Sequence, residues 1–414
     1  MHRIMKNSTH LLIAVLAGVF VSVATAALAN PTTYRGKLGT IDIVVELNID
    51  PLQKGPIAGR YAYMSKGVDI PLQSVARKGK SFELAEEEAC GAEKCGDGQK
   101  PPIGATWTLA ANADGSLSGT WKSAKRSLPL QLSRVGSRED MEATTPLALY
   151  QFSDELTYSE DSIISIESSP YDYTRNDVPV TTSQPEGFAD AKFAYAVDPR
   201  TKFRMPRVVR VEGGSAGSAN DLLKQRHWRN NISAWSCAAM QYIGLNDFGG
   251  TWSSDGGSLG GWDSEFFTEV HALTPKVMSW QESGSLFCHG AHPYNFRRSY
   301  TMDVAVGRLL GLGDMFADVQ DNLPGESLVG FVRDRRPKPT APHDIEYEQD
   351  CGIDDLIAQN LTASLKRDAG GLKLVFALEG LPHVIAACED DLFEVPVAEV
   401  ADLMTNEFHA LLGL

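Results

Sequence analysis

Beyond its first thirty residues, the sequence has no apolar run long enough to cross a membrane. Basic charge is also scarce, because 38 lysines and arginines stand against 53 aspartates and glutamates, which gives a net charge of −15. An acidic chain repels nucleic acid and anionic lipid, so we expect neither as a partner. The D-x-D-x-D-G pattern of a calcium-binding loop is absent as well. These absences favour a soluble protein without a membrane span.

The first 29 residues have the pattern of a secretory signal peptide. Arg3 and Lys6 precede an apolar segment at 11–23, and small residues end the pattern at 27–29. We expect cleavage before Asn30 and a periplasmic protein, with secretion as the alternative. No cysteine follows that position closely, so a lipid anchor on an N-terminal cysteine is not expected.

Only six of the 414 residues are cysteines, and in an oxidising compartment we expect them to form disulfide bonds. They are Cys90, Cys95, Cys237, Cys288, Cys351 and Cys388. Cys90 and Cys95 would close a small glycine-containing loop, and we predict this local pair first. Cys237 could pair with Cys288, which would leave the last two cysteines together. Six cysteines nevertheless permit fifteen pairings, so the rest of the disulfide map stays open.

Residues 30–137 consist of short alternating runs, each ended by turn residues. The runs are 41–47, 59–63, 70–74, 82–84, 105–109, 117–121 and 128–132. This spacing predicts an antiparallel meander, and about six to eight such strands lose their exposed edges most economically by closing into a small β-barrel. A Gly-x-aromatic pattern places Tyr61 and Trp121 beside strand positions without a side chain. We favour core packing of these rings over a ligand pocket.

A charged and polar segment, 138–145, separates two parts of different charge. Residues 30–137 have a net charge of +3, whereas residues 138–414 contain 22 basic and 42 acidic residues and have a net charge of −20. We therefore predict a linker at 138–145 between two modules that fold independently. A negative excess of this size would steer cationic proteins toward the second module, although it also promotes solubility.

The second module, 146–414, mixes strand and helix patterns, so we predict an α+β domain of antiparallel sheet with packed helices. Ser218 is predicted to cap a helix that follows a strand. Alternation at 361–378 predicts a hairpin, and 383–388 the next strand. Pro396 is predicted to begin a final helix that lies across the sheet.

Residues 278–316 contain the most definite motifs of the second module. A G-A-H-P turn at 290–293 joins two alternating runs, and the second run continues as M-D-V-A-V-G-R-L-L-G-L-G-D-M-F at 302–316. In this order of elements the chain, from about residue 206 to its C-terminus, resembles the RsiV-type domain. That extracytoplasmic domain belongs to anti-sigma factors, in which it binds lysozyme as a receptor. The same domain also precedes the catalytic module of some peptidoglycan deacetylases. The resemblance implies recognition of a cationic wall-active protein such as lysozyme, or of peptidoglycan, in the cell envelope.

Three groups of side chains are candidates for binding. Two tryptophans lie in a Gly- and Ser-rich loop at 251–263, where rigid indoles would contact a sugar or a protein surface. The turn at 289–294 supplies further rings. Acidic clusters before Cys351 and after Cys388 would meet in one patch if these cysteines pair, and clustered carboxylates invite a cationic partner. The candidate binding residues are Trp252, Trp262, His289, His292, Tyr294, Glu389, Asp390 and Asp391.

Two patterns are compatible with an enzyme. Residues 213–217 satisfy the G-x-S-x-G pattern around Ser215, but the chain downstream predicts hairpins instead of the parallel βα units of a hydrolase. His289 and His292 stand beside Cys288 as zinc ligands would, but a periplasmic cysteine is expected in a disulfide and no third ligand stands at a fixed spacing. We therefore favour a binding protein without cofactor or metal. An envelope esterase, amidase or metal-binding enzyme is the alternative.

Overall fold

The structure is a computed structural model that describes residues 30–49, 57–90, 95, 100–139, 143–160, 162–246, 266–288 and 294–414. The predicted signal peptide lies outside these residues. The chain begins with eight strands: β1 (Thr32–Leu38), β2 (Ile41–Asn48), β3 (Ala58–Tyr63), β4 (Asp69–Lys78), β5 (Ser81–Glu87), β6 (Ile103–Ala111), β7 (Leu117–Ser123) and β8 (Ser127–Ser137). Each strand pairs with the next in antiparallel register, and β8 pairs with β1. The predicted barrel is therefore confirmed, and it is closed.

The barrel interior is filled by side chains that alternate along each strand. Ile43, Val45 and Leu84 are fully buried in one apolar cluster with Tyr61 and Trp107, so the middle of the barrel is a packed core. Close packing of neighbouring strands also explains why residue 119 is glycine. A Cβ atom at this position would lie 1.9 Å from the carbonyl oxygen of Thr108.

Three helices and a small sheet follow the barrel. They are α1 (Pro146–Tyr158), α2 (Pro170–Asn176), β9 (Thr181–Thr182), β10 (Glu186–Gly187), β11 (Ala191–Val197), β12 (Arg204–Val211) and α3 (Gly217–Ala239), and a short 3-10 turn follows at Ile243–Leu245. Thr145 begins α1, because its hydroxyl accepts a hydrogen bond from the Ala148 N–H at 3.1 Å and proline occupies the first helical position. β11 pairs with β9, β10 and β12, all antiparallel.

The described part of the remaining chain forms three further antiparallel sheets, of four, two and three strands, with helices between them. Its elements are β13 (Phe267–Leu273), β14 (Val277–Leu286), β15 (Tyr294–Asp303), β16 (Arg308–Leu309), α4 (Leu312–Met315), β17 (Val319–Gln320), β18 (Leu323–Pro324), α5 (Glu326–Arg335), α6 (Pro342–Cys351), α7 (Ile353–Asn360), β19 (Leu361–Asp368), β20 (Gly371–Leu378), β21 (Asp390–Pro396) and α8 (Asn406–Leu412). Leu328, Ile357 and Phe376 pack in the core beneath these helices. The predicted α+β class is confirmed, including the hairpin at 361–378.

Three local predictions were wrong. Residues 383–388 form a 3-10 turn, and the strand that follows begins at Asp390. Pro396 does not begin a long α-helix. Two 3-10 turns follow it, at Val397–Glu399 and Ala401–Leu403, the Met404 backbone then pairs with Phe316, and α8 begins after its cap at Thr405. Ser218 is the second residue of α3, and the N-cap position is Ala216, two residues earlier.

All six cysteines form disulfide bonds, which confirms the predicted local pair and settles the pairing of the other four, which the sequence left open. Cys90 pairs with Cys95 beside the barrel. Cys237 joins α3 to the end of β14 through Cys288, with a Cα–Cα distance of 5.1 Å. The third pair joins the end of α6 to the 3-10 turn before β21.

A buried charge cluster joins the barrel to the chain that follows it. Its members are Glu46 on β2, Arg60 on β3, Asp69 on β4, Arg138 after β8, and Asp172 and Arg175 on α2, and none is more than 3% exposed. Three positive charges meet three negative ones, so the cluster is neutral. We call it the interface cluster.

Short contacts connect every member of the interface cluster. Arg60 Nε lies 2.8 Å from Glu46 Oε2 and its Nη1 lies 3.2 Å from Asp69 Oδ2. Arg138 Nε lies 2.9 Å from Glu46 Oε1, and Arg175 Nη1 lies 3.0 Å from Asp69 Oδ1. The cluster includes Arg138 of the predicted linker and joins barrel strands to α2. Independent folding of the two modules stays a prediction, and these contacts across the linker argue against it.

Replacement of Arg60 by methionine should unfold the protein readily. The substitution leaves the carboxylates of Glu46 and Asp69 short of a cation in a site that water does not reach, and breaking a buried pair in this way costs about 3–5 kcal/mol. Urea unfolding of the two proteins measures the difference. The matched control is Lys37→Met, which breaks the exposed pair with Asp42 and should leave the unfolding midpoint almost unchanged. Similar effects of both substitutions would contradict a structural role for the cluster.

His227 on α3 is buried and holds a defined neutral form. Its Nδ1 lies 3.3 Å from Arg207 Nη2, which can only donate, and its Nε2 lies 3.1 Å from the carbonyl oxygen of Phe203. Burial and the neighbouring Arg207 charge lower the pKa of His227 from 6.5 to about 4, against the weaker opposite pull of Asp198 and Glu282. The unfolded chain therefore binds a proton on this residue more readily than the folded chain does.

The stability of the protein should consequently fall as the pH drops from about 6.5 to about 4, because only the unfolded state takes up the His227 proton over this window. The expected loss from this residue is about 3 kcal/mol of unfolding free energy. Denaturant unfolding of wild type and His227→Gln at several pH values isolates it. Parallel pH profiles for the two proteins would rule out this role of His227.

Candidate functional site

The two acidic clusters meet on one surface of the second module. The Cys351–Cys388 disulfide holds the end of α6 against the 3-10 turn before β21, and the Tyr347 hydroxyl donates a hydrogen bond to the carbonyl oxygen of Ala387 at 3.0 Å. Between these segments lies a cavity of about 390 Å³. Its lining includes Asp344, Tyr347, Glu348, Asp390 and Asp391. We call this surface the acidic groove.

Local sequence explains why α6 presents its acidic residues to solvent. Pro342 occupies the first turn, and Gly352 ends the helix in the left-handed conformation at φ 60° while it also begins α7. None of the α6 residues is buried, so the helix has no apolar face that would anchor it in the core. The helix therefore depends for its position on the disulfide, on Tyr347 and on the ion pair of Glu348 with Arg336.

The buried Arg336 side chain neutralises part of the negative charge of the groove. Its guanidinium is buried, forms an ion pair with Glu348, and has a second pair with Asp354 Oδ1 at 3.3 Å. Burial and the nearby Asp390 charge raise the pKa of the Tyr347 hydroxyl. Arg336 thus anchors Glu348, and the rest of the rim keeps its negative charge.

Arg297 on β15 connects the groove to the sheet behind it. Its Nη2 lies 3.0 Å from Asp391 Oδ1, and its Nε lies 3.6 Å from the carboxylate of Glu379. Glu379 also accepts hydrogen bonds from the Ser299 N–H at 2.6 Å and the Ser299 hydroxyl at 2.8 Å. Burial raises the pKa of Glu379, and the Ser299 donors oppose that shift. Arg297 therefore fixes Asp391 within the fold.

The three acidic residues predicted after Cys388 play different structural parts. Glu389 Oε1 accepts a hydrogen bond from the Leu381 N–H at 2.8 Å, so this side chain holds a loop. Asp391 is paired with Arg297, as described. Asp390 is exposed, and its recorded hydrogen bond is local, from the Asp391 N–H at 2.8 Å. Of the three, Asp390 is the one that is available to a partner.

Among the described residues, the groove-lining carboxylates without an ion pair to lysine or arginine are Asp344 and Asp390. Glu346 and Asp350 are exposed on the same helix α6, outside the lining of the cavity, and likewise have no such pair there. Sequence reasoning did not single out Tyr347, Arg336 or Arg297, which organise the groove. Arg336 carried one detectable signal, because it stands at the end of an amphipathic helix and just before an acidic one. Tyr347 stands one helical turn before Cys351, so its contact with the segment across the disulfide follows from helix geometry once the pairing is known.

The aromatic and histidine candidates have no described side chains. Trp252, Trp262, His289 and His292 lie outside the described residues. Tyr294 is the first residue of β15, where its backbone pairs with Leu286, and its side chain is likewise outside the description. Their predicted binding roles stay predictions.

Ser215 lies on an exposed turn after β12, a strand whose pairing is antiparallel. Its hydroxyl accepts a hydrogen bond from the Gly217 N–H at 3.3 Å, and no other hydrogen bond of this hydroxyl, to a histidine or a carboxylate, occurs among the described residues. A nucleophile elbow requires a parallel sheet and a base within hydrogen-bond reach. The turn geometry is therefore that of a helix entry.

Metal binding by Cys288 would need a free thiolate, and this cysteine is in a disulfide. Across the residues that the structure describes, no three His, Cys, Asp or Glu side chains come together as a metal site would require. Within the same residues no helix combines the length and the apolar character that a bilayer span demands.

No family model and no curated protein matches the sequence of this chain. The chain is a closed eight-stranded antiparallel barrel followed by an α+β region. One disulfide lies beside the barrel, and two lie in the α+β region.

Proposed function

We propose that this protein is a non-enzymatic binding protein of the cell envelope and that its acidic groove recognises a cationic protein. The observation that carries the proposal is the exposed acidic surface at the groove, where Asp344 and Asp390 line the cavity and Glu346 lies on the adjoining α6, none with an ion pair to lysine or arginine among the described residues. Holding like charges together costs stability, because carboxylates within a few ångströms repel each other. A basic partner would relieve that repulsion.

The groove lining also includes the apolar side chains of Pro337 and Leu392 and the ring of Tyr347, and a stable interface needs apolar contact besides charge. Ile345 on α6 is 39% exposed, and Val384 in the 3-10 turn before β21 is 90% exposed. Both belong to the segments that the third disulfide joins, outside the lining of the cavity. Apolar side chains in and beside an acidic groove fit a partner that presents basic residues next to a hydrophobic patch.

The identity of the partner rests on the resemblance to the RsiV-type domain, which points to a lysozyme-like wall-active protein. The three disulfides support export to an oxidising compartment, where such a partner would be met. Peptidoglycan is the alternative ligand and would draw on Trp252 and Trp262, outside the described residues. The groove favours the protein partner because its described charges complement a basic surface.

The association of this protein with a basic lysozyme should slow steeply as salt rises from about 50 to about 200 mM, because screening shortens the reach of the groove charges. A groove variant, Asp344→Asn with Asp390→Asn in the cavity lining and Glu346→Gln on the adjoining α6, should lower the association rate by about tenfold at low salt. Dissociation should change less. Surface plasmon resonance measures both rates.

The matched control removes the same charge elsewhere on the second module, through Glu212→Gln, Asp221→Asn and Glu407→Gln, all at exposed positions. It should retain most of the association rate. No binding at low salt would overturn the receptor proposal, and so would equal losses in both triple variants. A turnover of ester or amide substrates by the same preparation would favour the hydrolase alternative.

Replacement of Cys351 and Cys388 by serine should weaken both stability and binding. The disulfide closes a loop with a sequence separation of 37, for which loop closure contributes about 3–4 kcal/mol, and α6 has no buried residue to hold it without the bond. The control is the same change at Cys90 and Cys95, whose separation is 5. Thermal unfolding and lysozyme binding should both separate the two variants. Unchanged binding after loss of the Cys351–Cys388 bond would show that the groove is not the contact surface.

A further inference from the structure

A second cavity lies at one end of the barrel, where the β3–β4, β5–β6 and β7–β8 connections lie. It has a volume of about 450 Å³ and is distinct from the packed core in the middle of the barrel. Its walls include Tyr61 and Tyr63 from β3, Glu86 from β5 and Ile103 from β6. Tyr242, which follows α3, closes one side. We call this cavity the barrel mouth.

Glu86 points into the barrel mouth from the inner face of β5 and is 8% exposed. Its Oε2 accepts hydrogen bonds from the indole N–H groups of Trp107 and Trp121, both at 2.7 Å. The Tyr61 hydroxyl lines the same cavity and donates a hydrogen bond to the Tyr63 hydroxyl at 3.3 Å. Both indole donors are uncharged, so they orient the carboxylate without neutralising it.

The neighbouring residue has the same character. Glu87 is 2% exposed and accepts hydrogen bonds from Gln73 Nε2 at 2.5 Å and from the Gly244 N–H at 2.9 Å. In the interface cluster of this same protein, by contrast, every buried carboxylate meets an arginine. Two adjacent buried carboxylates with neutral partners are therefore unusual within this fold. Burying an ionised carboxylate costs free energy unless a cation lies beside it.

We propose that the barrel mouth binds a small organic ammonium ion, with its positive charge between the Glu86 carboxylate and the rings of Tyr61, Tyr63 and Tyr242. Aromatic faces attract cations through their quadrupole, and a nearby carboxylate adds direct charge attraction. A neutral or anionic ligand would leave the Glu86 charge without a counter-ion. Lys125 at the rim is the one basic residue among the described residues that line the cavity.

The ionisation of Glu86 gives the site a recognisable pH dependence. Burial raises the pKa of the Glu86 carboxyl, and the indole donors only partly oppose that shift. The groups that face it or line the same cavity are the two indoles, the hydroxyls of Tyr61, Tyr63 and Tyr242, whose pKa values burial also raises, and the charged side chains of Glu87, Glu88 and Lys125. A cation binds the ionised carboxylate, so its affinity should rise with pH through the Glu86 pKa. A ligand with a permanent charge reports this change without titrating itself.

The test is a titration of the purified protein with choline, with butylamine, and with the uncharged analogue of choline in which a quaternary carbon replaces the nitrogen. Isothermal calorimetry gives the affinity, and the fluorescence of Trp107 and Trp121 reports occupancy of the barrel mouth. We expect at least one ammonium compound to bind and the uncharged analogue to bind at least about tenfold more weakly. Choline affinity, where measurable, should increase with pH.

Three variants locate the site. Glu86→Gln keeps the shape of the side chain and should weaken ammonium binding by about tenfold or more. Glu83→Gln, on the outer face of the same strand, is the matched control and should bind as wild type does. Ile103→Trp fills the mouth from a position that is 51% exposed and should also block binding, so the test stands even if Glu86→Gln folds poorly.

Failure of both ammonium compounds to bind at about 10 mM would overturn the proposal. Equal binding of the uncharged analogue, or full binding by Glu86→Gln and Ile103→Trp, would overturn it as well. The groove variant of the second module carries none of these substitutions and should bind ammonium compounds normally. The two proposed sites can therefore fail independently of each other.

Discussion

The interface cluster is the interaction on which the arrangement of this protein depends. Charges taken out of water lose several kcal/mol of hydration each, and the loss is offset only when every charge meets an opposite one at close range. Here α2 supplies Asp172 and Arg175 to charges that the barrel strands present, and the Arg60 guanidinium lies 4.2 Å from the centre of the Tyr171 ring. This requirement fixes where α2 lies on the barrel. With α2 in place, α1 and α3 lie against β3 and β4, and the segment after α3 carries Tyr242 to the barrel mouth.

The protein uses buried and exposed charge in two contrasting ways. Compensated charge holds elements together, as in the interface cluster and in the contact of Arg226 with Glu282, where the two closest atoms lie 2.9 Å apart. Uncompensated charge occurs at the barrel mouth and on the rim of the acidic groove. Charge without a partner lowers stability, and its presence at a concave surface is the ground on which both binding sites are proposed. The two proposed sites both follow from this contrast.

A disulfide bond holds the α6 helix, which has little apolar contact with the core. The α6 helix buries none of its residues, whereas α7, directly after it, packs Ile353 and Ile357 into the core. The third disulfide therefore holds α6 on the surface with its acidic face free. A helix buried on one face could not present carboxylates around so much of its circumference.

Local patterns determined much of the fold from the sequence alone. Alternation and turn residues predicted the barrel strands and the hairpin at 361–378, because a period of two records which side of a strand faces the core. The predicted helix after Pro396 failed for a physical reason, since Met404 pairs with the distant Phe316 and no local pattern contains that partner.

Composition likewise identified the acidic clusters, but only the tertiary structure decided what each charge does. Glu389 holds the Leu381 loop, Asp391 pairs with Arg297, and Asp390 is left exposed. The donors to Glu86 lie 21 and 35 residues away along the chain. Periodicity indicates burial, whereas the partner of a charge is set by distance in space, which the folded chain alone defines.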